Sequence, residues 1–437
     1  MMHSKLSYAY PVTLLIVLFL MQIHPQFRGD AREPELQSLA QRRDFYIGAA
    51  VDMEAYRSDS EYQAILKREF NVCVAENAFK FSSIHPKKGV YQFDDSDLLA
   101  DFAQDNGLKL RGHTLVWHKQ LPQWVTEGQF SREEAVALMK DHINTVVTRY
   151  QGKIWAWDVV NEAVDDDGKG LRKDSFWQKT IGPDYVKLAF QFAREADPGA
   201  LLYYNDFSAE DLGSKSKAVY QLVRDLKQQG IQVDGVGWQM HIDTNFKTKP
   251  SYRENAKRLA DLGLELSITE LDVKITLPTT QEELRKQADV YREVAQFCLT
   301  TPNCKALVMW GFTDKYSWIP QVSPGSGDAL VFDADYQPKP AYLSLKQAMQ
   351  DATSSIPTIT KASMVDDNLV IAGTNFSKDS IIFVNWKQFK SAADKQNPLT
   401  SLLIKKARKS IGAAQKIILQ VQNPGGKLSP EYTLVPE

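Results

Sequence analysis

Eight short apolar segments, each ending in polar residues, alternate with longer amphipathic stretches between Tyr46 and Phe312. The apolar segments are YIGAAVD (46–52), VCVAEN (72–77), KLRGHTLVW (109–117), IWAWDVVNE (154–162), LLYYND (201–206), GVGWQMH (235–241), LSITELDV (266–273) and ALVMWGF (306–312). The stretch EYQAILKREF (61–70) puts Tyr62, Ile65, Leu66 and Phe70 on one helical face, and 132–150, 183–197 and 281–300 have similar helical patterns. Eight strands, each followed by a helix, predict an α/β chain built on a (β/α)8 TIM barrel. A doubly wound open sheet shares the alternation, but no Gly-rich phosphate loop follows the first strand here.

In such barrels chemistry collects at the carboxyl ends of the strands. Those ends carry Asp52, Glu76 with Asn77, His113 with Trp117, Asn161 with Glu162, Asn205 with Asp206, Gln239 with His241, Glu270 with Asp272, and Trp310. One such residue reads equally well as a helix cap; eight decorated ends together do not. His113, His118 and His241 are dispersed among carboxylates, which disfavours a metallohydrolase, and no G-x-S-x-G elbow supports a serine hydrolase. A formal net charge of −2 provides no field for nucleic acid. What remains is carboxylates, amides and indoles, a set suited to a neutral polyhydroxylated substrate. Glycoside hydrolysis needs two carboxyl groups flanking the bond, and Glu162 and Glu270 form the best-placed pair.

The stretches ENAFK (76–80), GHTLVWHKQLPQW (112–124), WDVVNEAV (157–164), YYNDF (203–207), GWQMHID (237–243), ITELDV (268–273) and WGFTDKYSWIP (310–320) follow in order the signatures of glycoside hydrolase family 10, which the chain resembles over nearly all of 44–350. The resemblance implies an endo-β-1,4-xylanase that hydrolyses xylan with retention, without metal or other cofactor. It implies that Glu162 is the general acid/base and Glu270 the nucleophile, with Asn161, His241 and Asp272 in support. By the same match Glu76, Asn77, Lys80, His113, Trp117 and Gln120 bind sugars upstream of the cleaved bond. Gln239, Trp310 and Trp318 line the reacting sugar's pocket, and Asn205 and Phe207 complete the substrate contacts. Phe207 stands where many relatives carry Tyr, and Phe81 where a Trp is common. A β-1,4-glucanase on the same scaffold, or a catalytically silent polysaccharide-binding protein, is the alternative.

The ends of the chain differ from the barrel. Residues 1–30 hold Lys5 and an apolar run, Val12–Met21, too short for a membrane-spanning helix. This reads as a secretory signal, with an uncleaved anchor as the alternative. Export gives meaning to Cys298 and Cys304, six residues apart around Pro302 and Asn303, which can close a disulfide or stay as free thiols. Some family members carry a similar loop bridge. Cys73 reads as a buried small apolar residue. The catalytic domain is placed at 31–351. After a junction at Ala352–Ser355 and Pro357, the runs 358–365, 369–376, 380–386, 416–426 and 431–435 predict a small all-β immunoglobulin-like sandwich over 357–437. PTIT, GTNF and VQNPGGKLS resemble the IPT/TIG module. Its task, contact with polysaccharide or protein, is left open; Trp386 is expected in its core, with contact to polysaccharide as the alternative, and Lys405, Lys406, Arg408 and Lys409 are expected on a solvated face. The protein is expected to act as a monomer.

Overall fold

The computed structural model describes residues 35–437 except Ser355, Lys378, 394–398, 412–415, 424–425, Lys427 and 436–437. The expected signal or anchor at 1–30 lies outside the described residues. Among the described residues no helix is long and apolar enough to cross a membrane.

The eight expected strands form β1 (Tyr46–Val51), β2 (Val72–Ala75), β3 (Lys109–Trp117), β4 (Ile154–Asn161), β5 (Leu201–Asp206), β6 (Gly235–Trp238), β7 (Glu265–Thr276) and β8 (Cys304–Met309). Each pairs in parallel with its neighbours in chain order. The ring closes where β8 meets β1, with Tyr46 opposite Ala306 and Ala49 opposite Met309. Strands covered on both faces read as unbroken apolar runs rather than alternating ones, and β2, VCVA, is buried at every position.

Helix ends follow local chemistry. Ser131 opens the helix Arg132–Arg149 with a reciprocal box: its hydroxyl accepts from Glu134 N, and the Glu134 carboxylate accepts from Ser131 N. Asp59 and Thr280 cap Ser60–Glu69 and Gln281–Leu299 in the same way from one side. Below the barrel the buried Arg43 guanidinium donates to Leu299 O and Ala352 O, carbonyls in the last turns of two helices, where the helix's own amides run out. Cys298 and Cys304 are bridged, joining the end of Gln281–Leu299 to the start of β8. Cys73 is free and fully buried, as expected.

A short strand, His241–Asp243, pairs with β7 and sets His241 opposite Asp272. One residue's slip would separate them, because side chains alternate between the faces of a strand. Inside the barrel, Arg111 on β3 and Asp158 on β4 form an ion pair, each 1% exposed. Burial would raise the Asp158 carboxyl, but the Arg111 charge and the His113 ring hold it below its ordinary range.

Beyond the helix Pro340–Ser354 lie two four-stranded antiparallel sheets: β9 (Thr358–Val365), β10 (Asn368–Thr374), β14 (Ser401–Ile404) and β13 (Ala392–Ala393), then β12 (Lys387–Lys390), β11 (Ile381–Val384), β15 (Ile417–Gln422) and β16 (Tyr432–Leu434). They share one core that includes Leu369, Ile371, Ile382, Leu402, Leu419 and Val421, so this all-β region is a sandwich. Three of its strands, β12, β13 and β14, lie outside the runs read from the sequence. Lys405, Lys406, Arg408 and Lys409 are exposed as expected. Trp386 is a correction: expected in the core, it is 67% exposed on the turn between β11 and β12.

Candidate active site

The carboxyl ends of the strands open into a cleft of about 580 Å3. Glu270, near the middle of β7, is 5% exposed, and both its oxygens are engaged. Oε1 accepts from Asn205 Nδ2 at 2.6 Å, and Oε2 faces His241 Nε2 at 3.1 Å. His113 Nδ1 lies 4.0 Å from Oε1. Burial alone would raise the Glu270 carboxyl; the charge of His113 and the bond and charge of His241 outweigh it and lower it. The other nitrogen of His241, Nδ1, lies 2.8 Å from Asp272 Oδ2, which also accepts from Trp318 Nε1 at 2.9 Å. Burial works against a charged ring, yet Asp272 and Glu270 together lift His241 to about 10. With carboxylates at both nitrogens the ring is an imidazolium donating twice, rather than one fixed neutral tautomer.

Glu162 sits just past β4 with φ of 54°, a left-handed conformation uncommon for a residue with a side chain. The surroundings hold it there: its N–H donates to Asn205 O at 2.9 Å, and Arg172 Nε donates to its carbonyl at 3.3 Å. Its Oε2 accepts from Trp117 Nε1 at 3.0 Å and its Oε1 from Gln239 Nε2 at 3.0 Å. The Asn161 amide lies 2.9 Å from Asn205 Nδ2 and 3.1 Å from Gln239 Nε2. One amide chain therefore runs behind the cleft from the Glu162 side to the Glu270 side.

Glu76, Asn77, Lys80, His113, Trp117 and Gln120 continue the lining on one side. The Lys80 ammonium lies 5.2 Å from the Trp117 ring centroid and 5.6 Å from that of Trp310, and donates to Asn77 Oδ1 at 3.2 Å. Burial, then the charge of Asp52, pushes Glu76 up to about 8 against the pull of Lys80. Trp310 and Trp318 form another wall, and Phe207 lines the cleft with Lys215 Nζ 3.2 Å from its ring centroid.

Two residues expected at the site stand behind its surface. Asp272 is 1% exposed and reaches the cleft only through His241 and Trp318. Asn205, expected to contact substrate, is fully buried; its amide is committed to Glu270 and Asn161, so it positions carboxylates instead. The cleft also takes in Lys119, Ser208, Glu210, Ile242 and Val322, for which the sequence reading assigned no role. Burial pushes Glu210 up to about 7. His118 lies 4.0 Å from Glu162 Oε2, and burial pushes it down to about 4 despite that neighbour. His118, Lys119, Ser208 and Glu210 sit in loops, and Ile242 and Val322 in a three-residue strand and a four-residue helix, all too short or irregular for apolar periodicity to give a signal.

Residues 35–348 match the model of glycosyl hydrolase family 10. The chain belongs to that family. Endo-1,4-beta-xylanase B of Thermotoga neapolitana is 41% identical over 324 residues, covering 74% of this chain and 93% of that protein. An endo-1,4-beta-xylanase of Agaricus bisporus is 40% identical over 299 residues, covering 68% and 89%. Among solved structures, xylanase 10B from Thermotoga petrophila RKU-1 in complex with xylobiose superposes with a TM-score of 0.72 at 42% identity, covering 74% of this chain and all of that one. Native xylanase 10B from Thermotoga maritima gives 0.71 at 44% identity, covering 73% and 99%. For this family 10 hydrolase, the regions matched are those that build the barrel and its cleft, and the sandwich lies beyond them.

Proposed function

We propose that this family 10 hydrolase is an endo-1,4-β-xylanase that cleaves xylan with retention of anomeric configuration. The observation that carries the reading is the unequal environment of the two glutamates. Glu270 is held as a carboxylate by an imidazolium and an amide in direct hydrogen bonds, while Glu162 accepts from the neutral donors of Trp117 and Gln239, its nearest ammonium, Lys119 Nζ, standing 4.0 Å from Oε2.

Glu270 attacks the anomeric carbon as the proton of Glu162 passes to the departing glycosidic oxygen. The C–O bond to the leaving sugar breaks, and an ester to Glu270 forms. Glu270 is then neutral, and Glu162, now a carboxylate, takes a proton from water as the water oxygen attacks the same carbon. The ester breaks, restoring the Glu270 carboxylate and a protonated Glu162. The His241 imidazolium, backed by Asp272, stabilises the charge that returns to Glu270. Trp310 and Trp318 leave little room for the hydroxymethyl arm that distinguishes glucose from xylose.

Export belongs to the same reading, supported by a disulfide of the kind that persists in oxidising compartments. The sandwich is read as an IPT/TIG-like module. The test compares reducing-sugar release from xylan and from carboxymethyl cellulose. Xylan is expected to be cleaved at least about tenfold faster, since one hydroxymethyl-sized misfit is worth about 1–3 kcal/mol. Equal rates would refute selection by the tryptophan wall, and no release from either would refute the activity.

A further inference from the structure

Strands β11 and β12 are joined by two residues only, Asn385 and Trp386, with φ of 49° and 63°. Two left-handed residues in a two-residue hairpin are the pattern of a type I′ turn, for which Asn-Gly is the preferred pair. Asn385 suits its place. Its N–H donates to Ile418 O at 2.8 Å and its Oδ1 accepts from Ile418 N at 2.9 Å, which pins the turn to β15.

Trp386 does not suit its place. A side chain in this conformation costs about 1–2 kcal/mol that Gly would avoid. The indole returns none of that to the fold: it is 67% exposed and outside the sandwich core, and among the described residues no aromatic ring or cation packs on it. Asn385, Lys387 and Gln388 around it are exposed too, offering hydrogen-bond donors and acceptors beside a flat apolar face. A pinned turn loses little freedom on binding, so an indole presented this way suits a ligand with one apolar face and hydroxyl edges.

A pyranose ring in a β-1,4-linked chain has that character, and such a chain is what the family 10 cleft is read to act on. We infer that the Asn385–Trp386 hairpin tip is a second, non-catalytic polysaccharide-binding site that tethers the enzyme to insoluble xylan. The identity of the polymer rests on the proposed function; the site itself rests on the turn.

The test uses the full chain and its Trp386→Gly and Trp386→Ala variants. Gly is the residue the turn favours, so Trp386→Gly keeps the fold. The partition coefficient onto washed insoluble xylan is expected to fall about tenfold in both variants, the scale of one lost aromatic stack with its buried area. Meanwhile kcat/KM on soluble xylohexaose stays unchanged. Binding to insoluble xylan that is absent in the parent chain or equal in parent and variants overturns the site. So does a matching fall of kcat/KM on xylohexaose. If the parent chain fails to cleave xylohexaose but binds the polymer through Trp386, the cleft reading fails and the tether stands.

Discussion

Glu270→Ala should abolish xylan hydrolysis, with kcat reduced by at least the ~10⁴-fold that marks the upper range for deleting an acid–base group. The substitution removes the atom that bonds to the anomeric carbon, so no residual route through the ester survives. Folding should persist, because His241 keeps its bond to Asp272 and Asn205 keeps its contact with Asn161. The vacated space lies beside the reacting carbon, so azide can enter it and attack from the same face. The expected product is a glycosyl azide of inverted configuration, read by proton NMR. Near-parental turnover without azide would remove Glu270 from the role assigned to it.

Glu162→Ala should show a different signature. On xylan, whose leaving sugar needs a proton, turnover should fall by roughly 10²–10⁴. On a nitrophenyl xylobioside the leaving group departs unaided, so ester formation remains fast and its hydrolysis becomes slow. A burst of nitrophenol, followed by a low steady rate and a lowered KM, is the expected stopped-flow trace. Azide should accelerate the second step and give a product of retained configuration, since it attacks the ester from the side that water uses. Equal losses on both substrates with no burst would mean that Glu162 positions the substrate instead of transferring the proton.

The barrel was legible because its strands are covered on both faces: runs such as VCVA and IWAWDVV admit few other readings, and their polar ends marked the cleft. Helix ends were legible where a cap announced them, as at Ser131 and Glu134. Strand β12, KQFK, was not, since an edge strand with solvent on one side carries charges that mask the alternation. The partnerships of polar residues were also hidden. Nothing along the chain reveals that Arg111 and Asp158 meet inside the barrel, or that Asn205 turns its amide to Glu270 rather than to a sugar. Those facts depend on register between strands about 45–65 residues apart, which periodicity does not encode. Trp386 gives no local sign of its exposure: a lone aromatic in a strand-rich segment is usually packed inside, the preceding Asn is the one residue there that favours a turn, and no Gly follows it.

The two glutamates make a stereochemical commitment that substitution alone cannot test. Proton NMR of xylohexaose hydrolysis, begun with a high enzyme concentration and followed before mutarotation, reads the anomeric signal of the first product. Attack by Glu270 followed by attack of water from the opposite face gives the β-anomer first, with the α-signal growing only as the solution equilibrates. An α-anomer appearing first would mean that water displaces the leaving sugar directly, contradicting a covalent intermediate on Glu270.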